Sequence, residues 1–185
     1  MSDKFKKITT PLTDETVKVL KAGECVLITG DIYTARDAAH KRLIQLVEEG
    51  KKLPLDLNGK ILYYVGPAPA KPGQVSGSAG PTTSSRVDKY TPTLLDLGLK
   101  GMIGKGLRSQ AVIDSMKKNK AVYFGATGGA AALIARCIKK VEMIAYEDLG
   151  AEALQKMEVV DFPVTVVIDC EGNNLYITGP EKYKK

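Results

Sequence analysis

Residues Ser76–Tyr90 read SGSAGPTTSSRVDKY, and the chain on either side is arranged about them. Gly77 to Gly80 is small and flexible, so backbone N–H groups there can approach a ligand closely. Pro81 and Thr82 predict a helix opening, because proline is tolerated in a first turn and threonine caps well. Arg86 follows Thr82 by four residues, so on that helix the two side chains share a face. A hydroxyl, a guanidinium and a helix N-terminus then converge on one small volume that suits an anion. The plainer reading of the same residues is a glycine-rich surface turn before an ordinary helix.

Upstream, Lys4 to Leu12 predicts a strand or extended arm, and Thr13 caps a short helix, Asp14 to Lys21. Cys25 to Thr29 (CVLIT) has the length and continuous apolar character of a strand buried on both faces. A helix over Thr34 to Glu49 carries Ala39, Leu43, Leu46 and Val47 as its stripe. Ile61 to Val65 is a further buried strand. It runs into Gly66-Pro-Ala-Pro-Ala70 and then a long loop, and loops of that length are commonly functional.

Downstream, the helix from Thr82 breaks at Pro92 and resumes through Leu97. Met102-Ile103 is a short strand before Gly104-Lys105-Gly106, and Ser109 to Asn119 is an amphipathic helix. Ala121 to Phe124 is a strand that leads into Gly125 to Gly129 and a small-residue helix through Cys137. Val141 to Tyr146 predicts a strand, Ala151 to Met157 a helix, and Val159 to Ile168 a strand bent at Pro163. Asp169 to Asn174 reads as a hairpin turn with Leu175 to Thr178 as its return strand. Alternating strands and helices argue an α/β fold, and the C-terminal hairpin would make its sheet mixed. Glycine-rich turns directly follow the strands, and ligands gather at such carboxyl ends.

The 185 residues suit one domain, residues 1–185, with 44% hydrophobic and 26% charged residues, as in ordinary globular chains. No apolar run nears the roughly 20 residues of a membrane span, and the first ten residues lack a signal-peptide core. A cytoplasmic protein is expected. Cys25, Cys137 and Cys170 are far apart with no CxxC pair, which argues against a disulfide framework or a self-contained metal site. The net charge of +6 is spread without an arginine stripe or aromatic platform. An anionic small substrate or an acidic partner protein fits it at least as well as nucleic acid does.

The residues able to do chemistry stand at strand ends. Arg36 can clamp a carboxylate bidentately while Asp37 and His40, the only histidine, orient it. Thr82 and Arg86 form a second group, and Lys105 between two glycines offers a point charge with little steric obstruction. Two arginines, a lysine and a hydroxyl suit a small dicarboxylate better than a phosphate ester. Neither a Walker loop nor a GxGxxG after the first buried strand is present. On their own these residues also fit a non-catalytic anion-binding module.

The ordered set of TARDAAH (34–40), GPAPA (66–70), GSAGPTT (77–83) with Arg86 and Asp88, GKG (104–106) and DFPVT (161–165) resembles the β region of the iron–sulfur hydro-lyases. That family comprises class I fumarate hydratase and tartrate dehydratase. The resemblance implies a swivelling β/β/α domain and reversible hydration of fumarate to malate, or dehydration of tartrate. It also implies a hetero-oligomer in which an α subunit holds a [4Fe–4S] cluster through its own cysteines, with the isolated β chain forming a homo-oligomer. No metal ligand, nucleic acid or membrane is expected for this chain. Carried over by motif, Arg36, Arg86 and Lys105 would bind the substrate. Thr82 would take the C3 proton with Arg36 and Arg86 favouring its alkoxide, and Asp37 and His40 would support Arg36. Ser85 and Val87 depart from the glycine or alanine and the methionine common in the family.

Overall fold

The computed structural model describes residues 5–126 and 131–181. The expected strand start at Lys4 and the Thr127 to Gly129 part of the glycine-rich turn lie outside the described residues. The elements run β1 (Lys6–Thr9), α1 (Asp14–Lys18), β2 (Cys25–Thr34), α2 (Asp37–Glu48), β3 (Ile61–Tyr63), a 3-10 turn (Ser84–Val87) and α3 (Thr91–Asp96). They continue as β4 (Gly101–Gly104), α4 (Gln110–Asn119), β5 (Val122–Gly125), α5 (Ala131–Cys137), β6 (Ile138–Ala145), a second 3-10 segment (Glu147–Glu152), β7 (Leu154–Ile168) and α6 (Leu175–Glu181).

Strands β2, β3, β4 and β5 are parallel neighbours, and β7 runs antiparallel to both β5 and β2. Those five strands therefore close into a barrel, with β1 added beside β2 and β6 beside β7. The two long strands make the corner. Along one edge of β2, β1 covers residues 26 to 29 and β3 covers Tyr33 and Thr34. Along one edge of β7, β6 takes residues 154 to 159 and β5 takes the stretch from Thr165 to Ile168. Their mutual register shifts between Ile28 and Gly30, where Gly30 has φ +122 and Asp161 has φ +50. A bulge at this level lets each strand bend and change neighbours. Pro163 sits beside the bend, opposite Leu27.

Alternation along the strands divides the core in two, because successive side chains point to opposite faces. Ile61, Tyr63, Ile103, Val122 and Phe124 belong to one apolar cluster with Val26, Ile28 and Phe162. Leu62, Tyr64, Met102 and Tyr123 belong to the other, beneath Ala39 and Leu43 of α2, Leu94 and Leu95 of α3, and Val112 and Met116 of α4. Helix ends follow local chemistry. Thr13 accepts from the Thr16 N–H at 3.3 Å, Ser109 accepts from the Val112 N–H at 3.4 Å, and Lys120 closes α4 at φ +51.

Several expectations are corrected. The strand begun at Cys25 continues to Thr34, and the next helix starts only at Asp37. Cys25 and Leu27 are half-buried, so the first half of β2 is covered on one face, not two. Ala151 to Met157 is not a helix: from Leu154 it is strand, because Gln155 to Val159 pair with β2. The C-terminal hairpin is also absent. Asp169 Oδ1 gathers the N–H groups of Glu171 and Asn173 at 3.0 and 3.1 Å, and Asn174 then starts helix α6 by accepting from Tyr176 and Ile177. The sheet is mixed through β6 and β7 instead. No helix among the described residues is long and apolar enough to cross a membrane.

Candidate active site

The carboxyl ends of β2, β3 and β4 lie side by side, since Thr34 pairs with Tyr63 and Tyr63 with Ile103. Arg36 leaves the end of β2. The chain beyond β3 returns to the same end, with Val65 bridged to Pro81 and Thr83 bridged to Lys105. Thr82 follows Pro81, Arg86 lies in the 3-10 turn after it, and Lys105 directly follows β4. Strand order thus assembles at one end of the barrel groups that lie far apart in sequence.

Arg86 donates from Nε to Asp37 Oδ1 at 3.0 Å. Asp37 Oδ2 stands 3.8 Å from Arg36 Nε, so one carboxylate lies between two guanidinium groups. Arg36 is the more enclosed, its side chain 22% exposed against 52% for Arg86. Its Nε is buried without a hydrogen-bond partner among the described residues. Gly66 makes room for it: a Cβ there would meet Arg36 Nη1 at 2.7 Å.

Thr82 does not cap a helix, contrary to expectation. The 3-10 turn begins at Ser84 after Thr83, which makes no capping bond, so α-helical spacing does not relate Thr82 to Arg86. Thr82 instead donates both its N–H and its hydroxyl to the Tyr64 carbonyl, at 2.8 and 3.0 Å. That leaves the hydroxyl lone pairs as acceptors. Lys105 is exposed, and its carbonyl accepts from the Ser84 N–H at 2.9 Å.

His40 is fully buried in α2. Its Nδ1 lies 2.8 Å from the Arg36 carbonyl, which can only accept, so Nδ1 carries the proton. Nε2 has no partner, and the ring packs against Tyr64 and Tyr90. Burial pushes its pKa down to about 4, against the raising effect of the Arg36 carbonyl. His40 thus meets the backbone of Arg36, not its guanidinium, and is a neutral spacer at ordinary pH.

Three residues that sequence reasoning did not single out complete the surroundings. Arg108 is buried, donating to Asp88 Oδ1 at 2.7 Å and to Thr91 Oγ1 at 2.8 Å, with its plane over Tyr64 and Tyr123. Asp88, quoted there only as part of a motif, also accepts from the Ser109 N–H at 2.6 Å, which ties the segment after Arg86 to the segment after Lys105. Glu152 faces Arg36 from the stretch before β7. These contacts bridge distant segments and leave no local pattern to read.

A cleft of about 530 Å³ borders Ala68, Pro69, Ser76 and Ser78 on one side and Arg136 and Ile138 on the other. Arg36, Thr82, Arg86 and Lys105 do not line it. Among the described residues no group of three His, Cys, Asp or Glu side chains is placed to hold a metal ion. The donors among the described residues therefore do not gather as an iron–sulfur cluster needs.

Fold and site together define a mixed α/β barrel domain with paired arginines at the carboxyl ends of its parallel strands. Residues 3–179 match the family model described as Fumarase C-terminus. The chain belongs to that family. It is 43% identical over 151 residues to "Fumarate hydratase class I, anaerobic" of Escherichia coli, covering 80% of this chain and 28% of that protein. Against "Fumarate hydratase 2" of Leishmania major it is 40% identical over 156 residues, covering 83% and 28%. The chain thus spans little more than a quarter of these relatives. With the "Putative L(+)-tartrate dehydratase subunit beta" of Methanocaldococcus jannaschii it is 38% identical over 171 residues, covering 89% of this chain and 88% of that protein.

Proposed function

We propose that this chain, as one swivelling β/β/α domain over residues 1–185, is the β subunit of a class I fumarate hydratase. It works in the cytoplasm with a separate α subunit, which holds the [4Fe–4S] cluster, and the pair hydrates fumarate to malate reversibly. The observation that carries the reading is the Asp37 carboxylate held between Arg36 and Arg86. A carboxylate already occupies the space where two guanidinium groups meet, and a substrate carboxylate has the same chemistry.

In this reading Arg36 and Arg86 bind and orient the diacid, and Lys105 adds a point charge that screens its second negative end. In the malate-to-fumarate direction the Thr82 alkoxide, formed by loss of its proton to solvent, accepts the C3 proton. Its hydroxyl donates to a carbonyl in the free chain, which favours the protonated form. Proton removal therefore requires the adjoining cations to stabilise the alkoxide and the charge developing on the substrate. Asp37 and His40 keep Arg36 in place through its guanidinium and its carbonyl.

The experiment is reconstitution with an α subunit under anaerobic conditions, following fumarate absorbance. Thr82→Ala and Arg86→Ala each lower kcat/KM on the order of 100-fold. Full activity in both variants would overturn the assignment. A second reading, the β subunit of a tartrate dehydratase, is favoured by the relative matched over 88% of its own length. The same complex offered L(+)-tartrate beside fumarate separates the two.

A further inference from the structure

We infer that Glu152 is a positioning residue for Arg36, setting the direction of the guanidinium and capping the helix behind it. The inference rests on the reading of Arg36 as a substrate-binding cation. Glu152 Oε1 lies 3.5 Å from Arg36 Nη2. Its other oxygen, Oε2, accepts from the Ala38 N–H at 3.1 Å, across 114 residues of sequence.

The first N–H groups of a helix need acceptors from outside it. At the start of α2 the capping position is Arg36, whose side chain makes no capping bond. A carboxylate from a distant segment supplies the acceptor, and its negative charge suits the positive end of the helix. With one oxygen on the helix and the other on the guanidinium, Glu152 holds both in a single orientation.

The segment bearing Glu152 is itself fixed to β2 and α2. The buried Thr34 hydroxyl, two residues before Arg36, donates to the Ala153 carbonyl at 3.1 Å and accepts from the Gln155 N–H at 3.1 Å. Arg42, one turn beyond Ala38, holds Asp148 through both guanidinium nitrogens. A Cβ on Gly66 would stand 2.7 Å from Arg36 Nη1 and 3.3 Å from the Ala151 carbonyl. Arg36 therefore runs in a slot bordered by Gly66, Ala151 and Glu152. Only the N–H groups not turned to Glu152 remain for a ligand.

The test uses the reconstituted complex. Glu152→Gln keeps an amide oxygen for the Ala38 N–H and removes the charge facing Arg36. KM for the diacid rises about fivefold, the upper scale of a partly exposed ion pair. The Tm of the complex stays within about 2 °C, because the helix keeps its cap. In an Arg36→Lys background, where the planar fork is gone, Glu152→Gln shifts KM no further. An unchanged or lowered KM in Glu152→Gln, or the same shift in both backgrounds, would overturn the inference. If Arg36→Lys alone leaves KM untouched, the substrate role of Arg36 fails and this inference fails with it. If Arg36→Lys raises KM and Glu152→Gln does not, only the role of Glu152 falls.

Discussion

Arg86 Nε donates to Asp37 Oδ1 at 3.0 Å across 49 residues of sequence, joining the 3-10 turn after Thr83 to the first turn of α2. Arg86 is about half exposed, and a long exposed side chain without an anchor samples many rotamers, each immobilisation costing about 1 kcal/mol. Asp37→Ala therefore releases Arg86 and lowers kcat/KM of the reconstituted complex about fivefold. An exposed ion pair contributes at most about 1 kcal/mol to folding, so the urea midpoint hardly moves. Steady-state kinetics and urea unfolding of one preparation check both halves. A large loss of stability with unchanged kinetics would assign Asp37 to the fold instead.

Gly66→Ala tests the slot around Arg36. The new methyl meets Nη1 at 2.7 Å, Cδ at 3.2 Å and the Ala151 carbonyl at 3.3 Å; the first two belong to a side chain whose end can shift, and the carbonyl must give by a few tenths of an ångström. Gly66 is not among the glycines with positive φ, so the backbone tolerates alanine. The expected result is a folded chain with Arg36 displaced and kcat/KM down on the order of 100-fold, the scale reached by a 1 Å misplacement. Circular dichroism and kinetics on the same sample suffice.

His40 makes stability depend on pH in a definite direction. Its folded pKa of about 4 lies below the ordinary histidine value near 6.5, so between those values the unfolded chain binds a proton that the folded chain does not. Stability is then complete above the unfolded value and falls as pH drops. From pH 7 to pH 5 the loss from this one group is about 2 kcal/mol. His40 is the only histidine, so urea-unfolding free energies over that window report on it with little interference from carboxylates. His40→Phe keeps a ring between Tyr64 and Tyr90 and flattens the dependence. An equal slope in both proteins would place the cause elsewhere.

Much of the barrel is legible because its strands carry strong local signals. The continuous apolar run Ile61 to Val65, the caps at Thr13 and Ser109, and the glycines after strands all have short-range causes. The same signals point to Arg36, Asp37, Arg86 and Lys105, because side chains at strand ends meet through topology. Where pairing partners decide, local reading fails. AEALQKM (151–157) has the composition of a helix, yet its second half is drawn into strand by β2. LYIT (175–178) has the composition of a strand, yet Asn174 and the Asp169 turn start a helix there. Glu152 and Arg108 act across long stretches of chain, and no spacing rule connects such pairs.

Arg108 supports the last prediction because its side chain is fully buried and its charge is matched by one largely buried carboxylate, Asp88. Removing one partner of a buried pair strands the other, at a cost of about 3–5 kcal/mol. Arg108→Met fills similar volume but leaves the Asp88 carboxylate on the Ser109 N–H without its cation, so the urea midpoint falls sharply. Asp88→Asn added to Arg108→Met removes the stranded charge and recovers part of the loss. The single variant also loosens the segment after Arg86, since Asp88 follows it by two residues. Activity in the complex therefore falls further than in the double variant when both are assayed well below their melting temperatures. If the two variants are equally destabilised, the charge on Asp88 is not what Arg108 offsets, and its stacking on Tyr64 and Tyr123 carries the stability instead.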